Sequence, residues 1–386
     1  MTDDPRAKRV AEKAAGDLDD VLTVGAEEEF LLIDPQTGQI VPAVEEVMAA
    51  LGDRLDGDLA GLVQYEFQAN QIELATPPTT DLATLRDSLI SIRTALCDAA
   101  ESVGVRLAAI GTGTLPLDVP PLLSDNARYV RMTEEFGAIW STAGVCGCHV
   151  HVGVPDRELG VQVLNHLRGW LPVLHAVTAN SAIADGVDTG YASWRSVLWS
   201  RWPSVGAPPH LDSAAHYDEV LRDLRGAGAM LDDNMLYWFA RMSTHVPTVE
   251  VRVGDVCSTV DDTVLVAALV RGLVGTVIDR VAAGQPPRHV RDWLVAAAHW
   301  RAAHDGLEGG AVDVATGRPM PAWDLLRQLV DEVTPVLDRH GDLGTVDKLL
   351  AQLRSHGSGA AQQRARFASG SDAREVILAA ADATRP

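Results

Sequence analysis

Four stretches of the chain set polar residues two apart between apolar ones. They are Glu27 and Glu29 in VGAEEEF, Gln71 and Glu73 in QIELA, His149 and His151 in CHVHV, and Glu250 and Arg252 in TVEVRV. Side chains alternate faces along a strand, so each pair shares one face and its apolar neighbours share the other. Four such strands constrain the fold more than any other feature. They predict a sheet with an apolar back and a front of carboxylates, imidazoles and guanidinium. A sheet with one face in water is the bland alternative, common in antiparallel sheets. The lysines, serines and threonines of ordinary solvated faces are missing from most of these positions, which favours a shared functional floor.

Carboxylates gathered on one face cannot all stay ionised without counter-charge. Bound divalent cations supply it, and an oxygen-rich set fits Mg2+, with the histidines adding tolerance for Mn2+. Glu27 and Glu29 then point to the cations, Glu66 lies just upstream of the second pair, and Glu28 faces away to pair elsewhere. CGCHVH has the residue types of a zinc site. In a continuous strand its cysteines and histidines point to opposite faces, so buried structural cysteines are expected instead.

Around these strands the pattern is mixed. Residues 22–33 read as a strand, 34–38 as a turn and 39–41 as a returning strand. Residues 65–75, 105–110, 146–152 and 248–253 read as further strands. Helical periodicity covers 81–103, 157–180, 261–283, 323–339 and 343–354. Strands and helices without strict βαβ alternation argue an α+β fold. Residues 1–20 read as an N-terminal tail, 21–355 as a single catalytic domain, and 356–386 as a mobile or helical C-terminal segment. The stretch 194–209, rich in Trp, Pro and Gly, reads equally as a substrate lid or as a surface loop pinned by its tryptophans. Gly111-Thr112-Gly113 reads as a turn before it reads as a phosphate cradle.

Composition narrows the chemistry. The 386 residues carry a net charge of −21, which argues against nucleic acid and anionic membrane as partners. Lysine occurs only at Lys8, Lys13 and Lys348. Phosphate-loop and Schiff-base lysines are therefore excluded from the middle of the chain, where phosphate must be held by arginine, metal or backbone N–H groups. The four cysteines do not form a disulfide-framework pattern. The charged N-terminus lacks a signal-type apolar core, so a cytoplasmic chain is expected.

Taken together, GAEEEFLLID, EFQANQIELATPP, GCHVHVGVPD, RSVLWSRWPSVGAPP and TVEVRVGDVCSTVDD resemble, in order, the motifs of the glutamate–cysteine ligase type 2 family. The likeness is to its YbdK-like branch of carboxylate–amine ligases, and more distantly to glutamine synthetase. The resemblance implies a glutamine synthetase-like catalytic domain, with a curved, mainly antiparallel sheet backed by helices. It implies ATP and Mg2+, an L-glutamate-like carboxylate joined to an L-cysteine-like amine, and a homodimer. Carried onto this chain, it implies metal ligation by Glu27, Glu29, Glu66, Glu73, His149 and Glu250. His151 would lie near the nucleotide phosphates, Arg252 would face the transferred phosphoryl group, and Arg195 and Arg201 would lie on the substrate side. HWRAAHDGLEG departs from the family pattern, with His304 and Asp305 where an arginine–tyrosine pair is usual. That departure puts the substrate in question more than the reaction.

The implied chemistry is amide formation through an acyl phosphate, giving gamma-glutamylcysteine when the substrates are glutamate and cysteine. A phosphagen-type kinase would use a related sheet but yield a phosphorylated guanidine. A metal hydrolase would work without ATP. A catalytically retired amino-acid-binding homologue would turn over nothing.

Overall fold

The computed structural model describes residues 22–52, 62–118, 120–141, 144–154 and 156–386. The expected N-terminal tail lies outside the described residues. Strands β1 (Val24–Ile33), β2 (Val63–Tyr65), β3 (Gln71–Ala75), β4 (Arg106–Ala108) and β5 (Gly147–Gly153) come first in the chain. A two-stranded pair, β6 (Ile183–Ala184) with β7 (Val187–Asp188), precedes β8 (Ala240–Met242) and β9 (Thr248–Asp255). Seven of these form an open sheet of order β2-β3-β1-β5-β9-β8, with β4 pairing β1 off that path. Each of its pairings is antiparallel. This is the α+β arrangement expected from the pattern of strands and helices, with the mainly antiparallel sheet that the family resemblance implied.

Register lines the four polar pairs up across the sheet. Glu29 stands opposite Glu73, Glu27 opposite His149, and His151 opposite Glu250. Between Cys148 and Val150 the β5–β9 register shifts, leaving two residues of β9, Arg252 and Val253, opposite His149. Such a bulge re-aims side chains beside a site.

The back of the sheet is apolar and carries two long helices, Leu82–Ser102 and Val260–Ala282. Phe30, Leu32, Ile72, Leu74, Val150 and Val251 are buried in one core with Leu89, Ile92, Leu96 and Val264. Asp81 caps the first helix by accepting from the Thr84 N–H, and Thr259 caps the second by accepting from the Asp262 N–H. Glu28 points into this layer and is fully buried. It takes two hydrogen bonds from Arg93, at 2.8 and 2.5 Å, and one from the Thr263 hydroxyl at 2.5 Å. Arg93 also lies over the Phe30 ring, 5.2 Å from its centroid.

Several elements differ from the sequence expectation. The strand expected over 65–75 is two strands, because the chain turns through Glu66–Asn70 between β2 and β3. The returning strand at 39–41 reduces to one bridge, Ile33 to Ile40. The helix expected over 157–180 breaks into Arg157–Leu167 and Leu171–Val177, the second opening with Pro172, which has no N–H to continue the first. Residues 194–209 open with a short helix, Trp194–Trp199, rather than a loop. Beyond His356 two helices, Gly359–Ala368 and Ala373–Thr384, pack on the body. Gln363 donates to the backbone and side-chain oxygens of Asn180, and Thr384 accepts from the Ala109 N–H.

Candidate active site

The front of the sheet gathers three overlapping sets of ligand atoms. They are Glu29, Glu66 and Glu73; Glu27, Glu73 and His149; and Glu27, His151 and Glu250, each set within 4.8 Å. Strand pleating delivers all but one of these residues. Glu66 arrives from the turn after β2, anchored by its carbonyl, which accepts from Ser124, and by its own carboxylate, which takes the Phe67 N–H.

Hydrogen bonds set the ring orientations. His149 Nδ1 lies 2.9 Å from Glu27, and its Nε2 is buried without a hydrogen-bond partner, 3.7 Å from Glu29. His151 Nδ1 meets the Thr248 hydroxyl at 2.9 Å, and its Nε2 is 3.1 Å from Glu27. Glu29 accepts the Gly147 N–H at 2.6 Å.

Charge divides the floor into two halves. Burial opposes ionisation of Glu27, yet hydrogen bonds from His149 and His151 and their charge hold its carboxyl well below the usual range. Burial likewise opposes ionisation of Glu250, and Arg252 and Arg241 overcome it. At the other end, among the described residues, no guanidinium forms an ion pair with Glu29, Glu66 or Glu73, and Arg252 only partly offsets the burial of Glu66. Burial and the Glu29 charge push Glu66 up to about 7, and burial with Glu66, Glu27 and Glu29 pushes Glu73 well up. Glu29 and Glu73 face each other directly across β1 and β3, which is unfavourable for like charges. A divalent cation would relieve that crowding. The donors are carboxylate oxygens with imidazole only at the histidine end, a set that suits Mg2+ or Mn2+.

Zinc at CGCHVH is not supported. All four cysteines are buried and free, and among the described residues none enters a ligand set. Cys146 precedes β5 and lies against the Gln71 amide, so the two cysteines do not stand side by side on one pleat as expected.

A cavity of about 220 Å3 opens over this floor, bounded by Glu27, Glu29, Glu66, Glu73, His149 and Arg252 below. Arg195, Trp199, Trp202, Tyr237, Phe67 and Tyr129 stand above. A second cavity of about 630 Å3, mostly apolar, meets the floor at Glu27 and His151 and is lined by Gly25, Ala75, Pro78, Val154 and Pro247. Glu27 therefore belongs to both.

Of the residues expected at the site, Glu27, Glu29, Glu66, Glu73, His149, His151, Glu250, Arg195 and Arg252 meet around this floor. Arg201 does not. It follows the end of the Trp194–Trp199 helix, is exposed, and lines neither cavity. Arg195 sits inside that helix and is buried, with Trp199 one turn on beneath its guanidinium. Gly147 lets it lie close, since a Cβ there would stand 2.4 Å from its Nη2. Gly111 serves packing rather than phosphate, because a Cβ there would meet Asp255 at 2.8 Å. His304 and Asp305 bond to each other at 2.6 Å and line neither cavity. The carbonyls of Ala303 and His304 hold the Ser193 and Ala192 N–H groups at the base of the Arg195 helix.

Two features escaped the sequence. Arg241 donates to Glu250 at 2.8 Å and to the carbonyls of Asn234 and Leu236. The signal was there: a hairpin through residues 243–247 places Arg241 opposite Glu250. Outside the 194–209 stretch the aromatic wall left no such signal, because Phe67, Tyr129 and Tyr237 come from three other segments.

The profile of the family described as "Glutamate-cysteine ligase family 2 (GCS2)" matches residues 23–379. A protein of Salinispora tropica named "Putative glutamate--cysteine ligase 2" is 51% identical over 368 residues, covering 95% of this chain and 96% of its own. One of Saccharopolyspora erythraea, named "Putative glutamate--cysteine ligase 2-1", is 49% identical over 92% of this chain and 93% of its own. Among solved structures, a glutamate–cysteine ligase of Francisella tularensis in complex with AMP superposes with a TM-score of 0.67 at 15% identity, over 95% of this chain and 89% of that one. A bifunctional glutathione synthetase of Pasteurella multocida superposes at 0.66 and 15% identity, this chain spanning 54% of it. The chain is a ligase and belongs to the glutamate–cysteine ligase family 2.

Proposed function

We propose that this ligase activates a carboxylate substrate with ATP as an acyl phosphate and passes the acyl group to an amine. What carries the proposal is the row of three overlapping ligand sets with Arg252 beside them. Glu29, Glu66 and Glu73 would hold one divalent cation, and Glu27 another, shared with His149 and Glu73 on one side or His151 and Glu250 on the other. Such cations neutralise phosphate charge while the phosphoryl group moves. Arg252, kept protonated against burial by Glu250 and Glu29, is a fixed clamp for that group.

The apolar second cavity would take the nucleoside, with phosphates reaching the floor past His151 and Glu27. The first cavity would take the acid and the amine, Arg195 facing the acid. The two ligand classes then approach from opposite ends of one floor, and the phosphoryl group crosses between them. ATP as co-substrate, Mg2+ as the ion, a cytoplasmic setting and a homodimer all belong to this proposal. With L-glutamate and L-cysteine the product would be gamma-glutamylcysteine.

The test is ADP release across a matrix of acids and amines, with mass spectrometry of each mixture. ADP that needs both an acid and an amine, together with an amide, is the expected result. ADP without an amide, or a phosphorylated guanidine, would replace the proposal with a kinase.

A further inference from the structure

Behind the helix Trp194–Trp199 lies Asp255, the last residue of β9, with no exposed surface. Its Oδ2 accepts from the Asn180 N–H at 2.9 Å and from the Ser181 hydroxyl at 2.7 Å. Its Oδ1 accepts from the Ser193 hydroxyl at 2.7 Å and lies 3.9 Å from Arg195 Nη1. Both serines are fully buried, and each hydroxyl takes a backbone N–H from the start of the helix. Ser181 takes that of Arg195 at 2.9 Å, and Ser193 takes that of Ser196 at 3.3 Å. A hydroxyl has one proton to donate. With N–H groups on their lone pairs, both serines direct that proton at Asp255. Burial pushes the Asp255 carboxyl up, and Arg195 with the three donors counters it.

One carboxylate therefore fixes the backbone at Arg195, the backbone at Ser196 and the direction of a guanidinium. At 3.9 Å the contact with Nη1 is electrostatic, too long for a hydrogen bond, so it orients the guanidinium without taking its N–H groups. Asp255 stands opposite Gly147 of β5, where any Cβ would press on that guanidinium. The same strand carries Glu250 and Arg252, so Arg195 is registered to the floor through β9. Asp255 lines neither of the two cavities, whereas Arg195 lines the one over the floor.

We propose that Asp255 is a positioning residue: through Ser181 and Ser193 it holds Arg195 where the guanidinium meets the carboxylate of the acid substrate. The inference rests on the ligase reading, which places the acid at Arg195.

The assay is hydroxamate formation from ATP, Mg2+ and hydroxylamine. The acid is the most active of a panel of α-amino and aliphatic acids that includes L-glutamate. Asp255→Asn keeps the shape and removes the charge. It should raise KM for that acid about tenfold while KM for ATP stays within about twofold. Ser193→Ala, a smaller disturbance, should move the acid KM the same way by about threefold. Arg195→Ala should lower kcat/KM for the acid about a hundredfold. Adding Asp255→Asn to it should cost at most about twofold more, since a residue acting through Arg195 has nothing left to act on. Should Asp255→Asn fail to fold, the same cycle is run with Ser193→Ala. Additive losses in the cycle, or equal rises in KM for acid and ATP, overturn the inference by making Asp255 a general support of the fold. An unchanged acid KM in Asp255→Asn and Ser193→Ala overturns it as well. Normal kinetics for the acid in Arg195→Ala overturn it and leave the ligase reading standing. No hydroxamate from any acid of the panel counts against the ligase reading itself, and this inference falls with it.

Discussion

Three adjacent glutamates have two fates because one strand has two faces. Glu27 and Glu29 meet histidines and acids, and Glu28 meets Arg93 in the core. The differing charge surroundings give a pH prediction. In the metal-free protein Glu66 is pushed up to about 7 by burial and by Glu29. A carboxyl raised above its unfolded value stabilises the fold fully below about pH 4.5, and that share is lost as pH rises through about 7. Metal-free thermal unfolding should therefore show a declining contribution from Glu66 between those limits, removed in Glu66→Gln. On the proposed ligation, Mg2+ would displace protons from Glu66 and Glu73, whose carboxyls are raised, so its affinity should rise from pH 6 to pH 8. Calorimetry in two buffers of different ionisation enthalpy should show proton release on binding. Arg252→Ala should abolish turnover, a loss of at least a thousandfold in kcat, with Mg2+ affinity and melting temperature largely kept. Near-normal turnover in that variant would remove Arg252 from the phosphoryl path.

At the level of elements, a buried ion pair ties β1 to the helix Leu82–Ser102 within their shared apolar core. Both side chains of Glu28 and Arg93 are inaccessible to solvent. Removing one partner of a buried pair typically costs about 3–5 kcal/mol, because the other charge stays buried alone. Arg93→Met should show a loss of that order in urea unfolding. Adding Glu28→Gln should recover part of it, a coupling that a double-mutant cycle measures. The main strands were legible because their signal is local: period two, bounded by glycines and prolines. The segment between β2 and β3 was not, since Glu66 reaches the floor from a turn held by Ser124, a partner 58 residues away. The helix Asp292–Asp305 was also missed, its apolar face blurred by the exposed Trp293 and Trp300. Most of the floor could therefore be read from sequence. Of the wall above it only Trp199 and Trp202 stand in a stretch the sequence marks, while Phe67, Tyr129 and Tyr237 come from three other segments with no shared period.

Across the whole molecule, the last helices reach the site through a chain of buried polar contacts. Gln363 holds Asn180, whose amide reaches the carbonyls of Ala109 and Val256. The Asn180 N–H meets Asp255, which also takes the Ser193 hydroxyl at the start of the Arg195 helix. Gln363 further accepts from the Ala182 and Ile183 N–H groups. Gln363→Ala leaves several buried groups unpaired, each worth about 1–3 kcal/mol. The variant should lose stability on that scale and several-fold in kcat/KM, although it lies outside the cavity. Unchanged kinetics in a destabilised protein would confine the network to folding.

The buried Glu28 has one more consequence, for how the sheet finds its alignment. A strand that slips by one residue turns every side chain over. In β1 that slip would drive Glu27 and Glu29 into an apolar core and leave Arg93 facing no acid. Only one alignment satisfies all three glutamates at once. The ion pair behind the sheet thus penalises a one-residue slip of β1 and so holds the spacing in front of it.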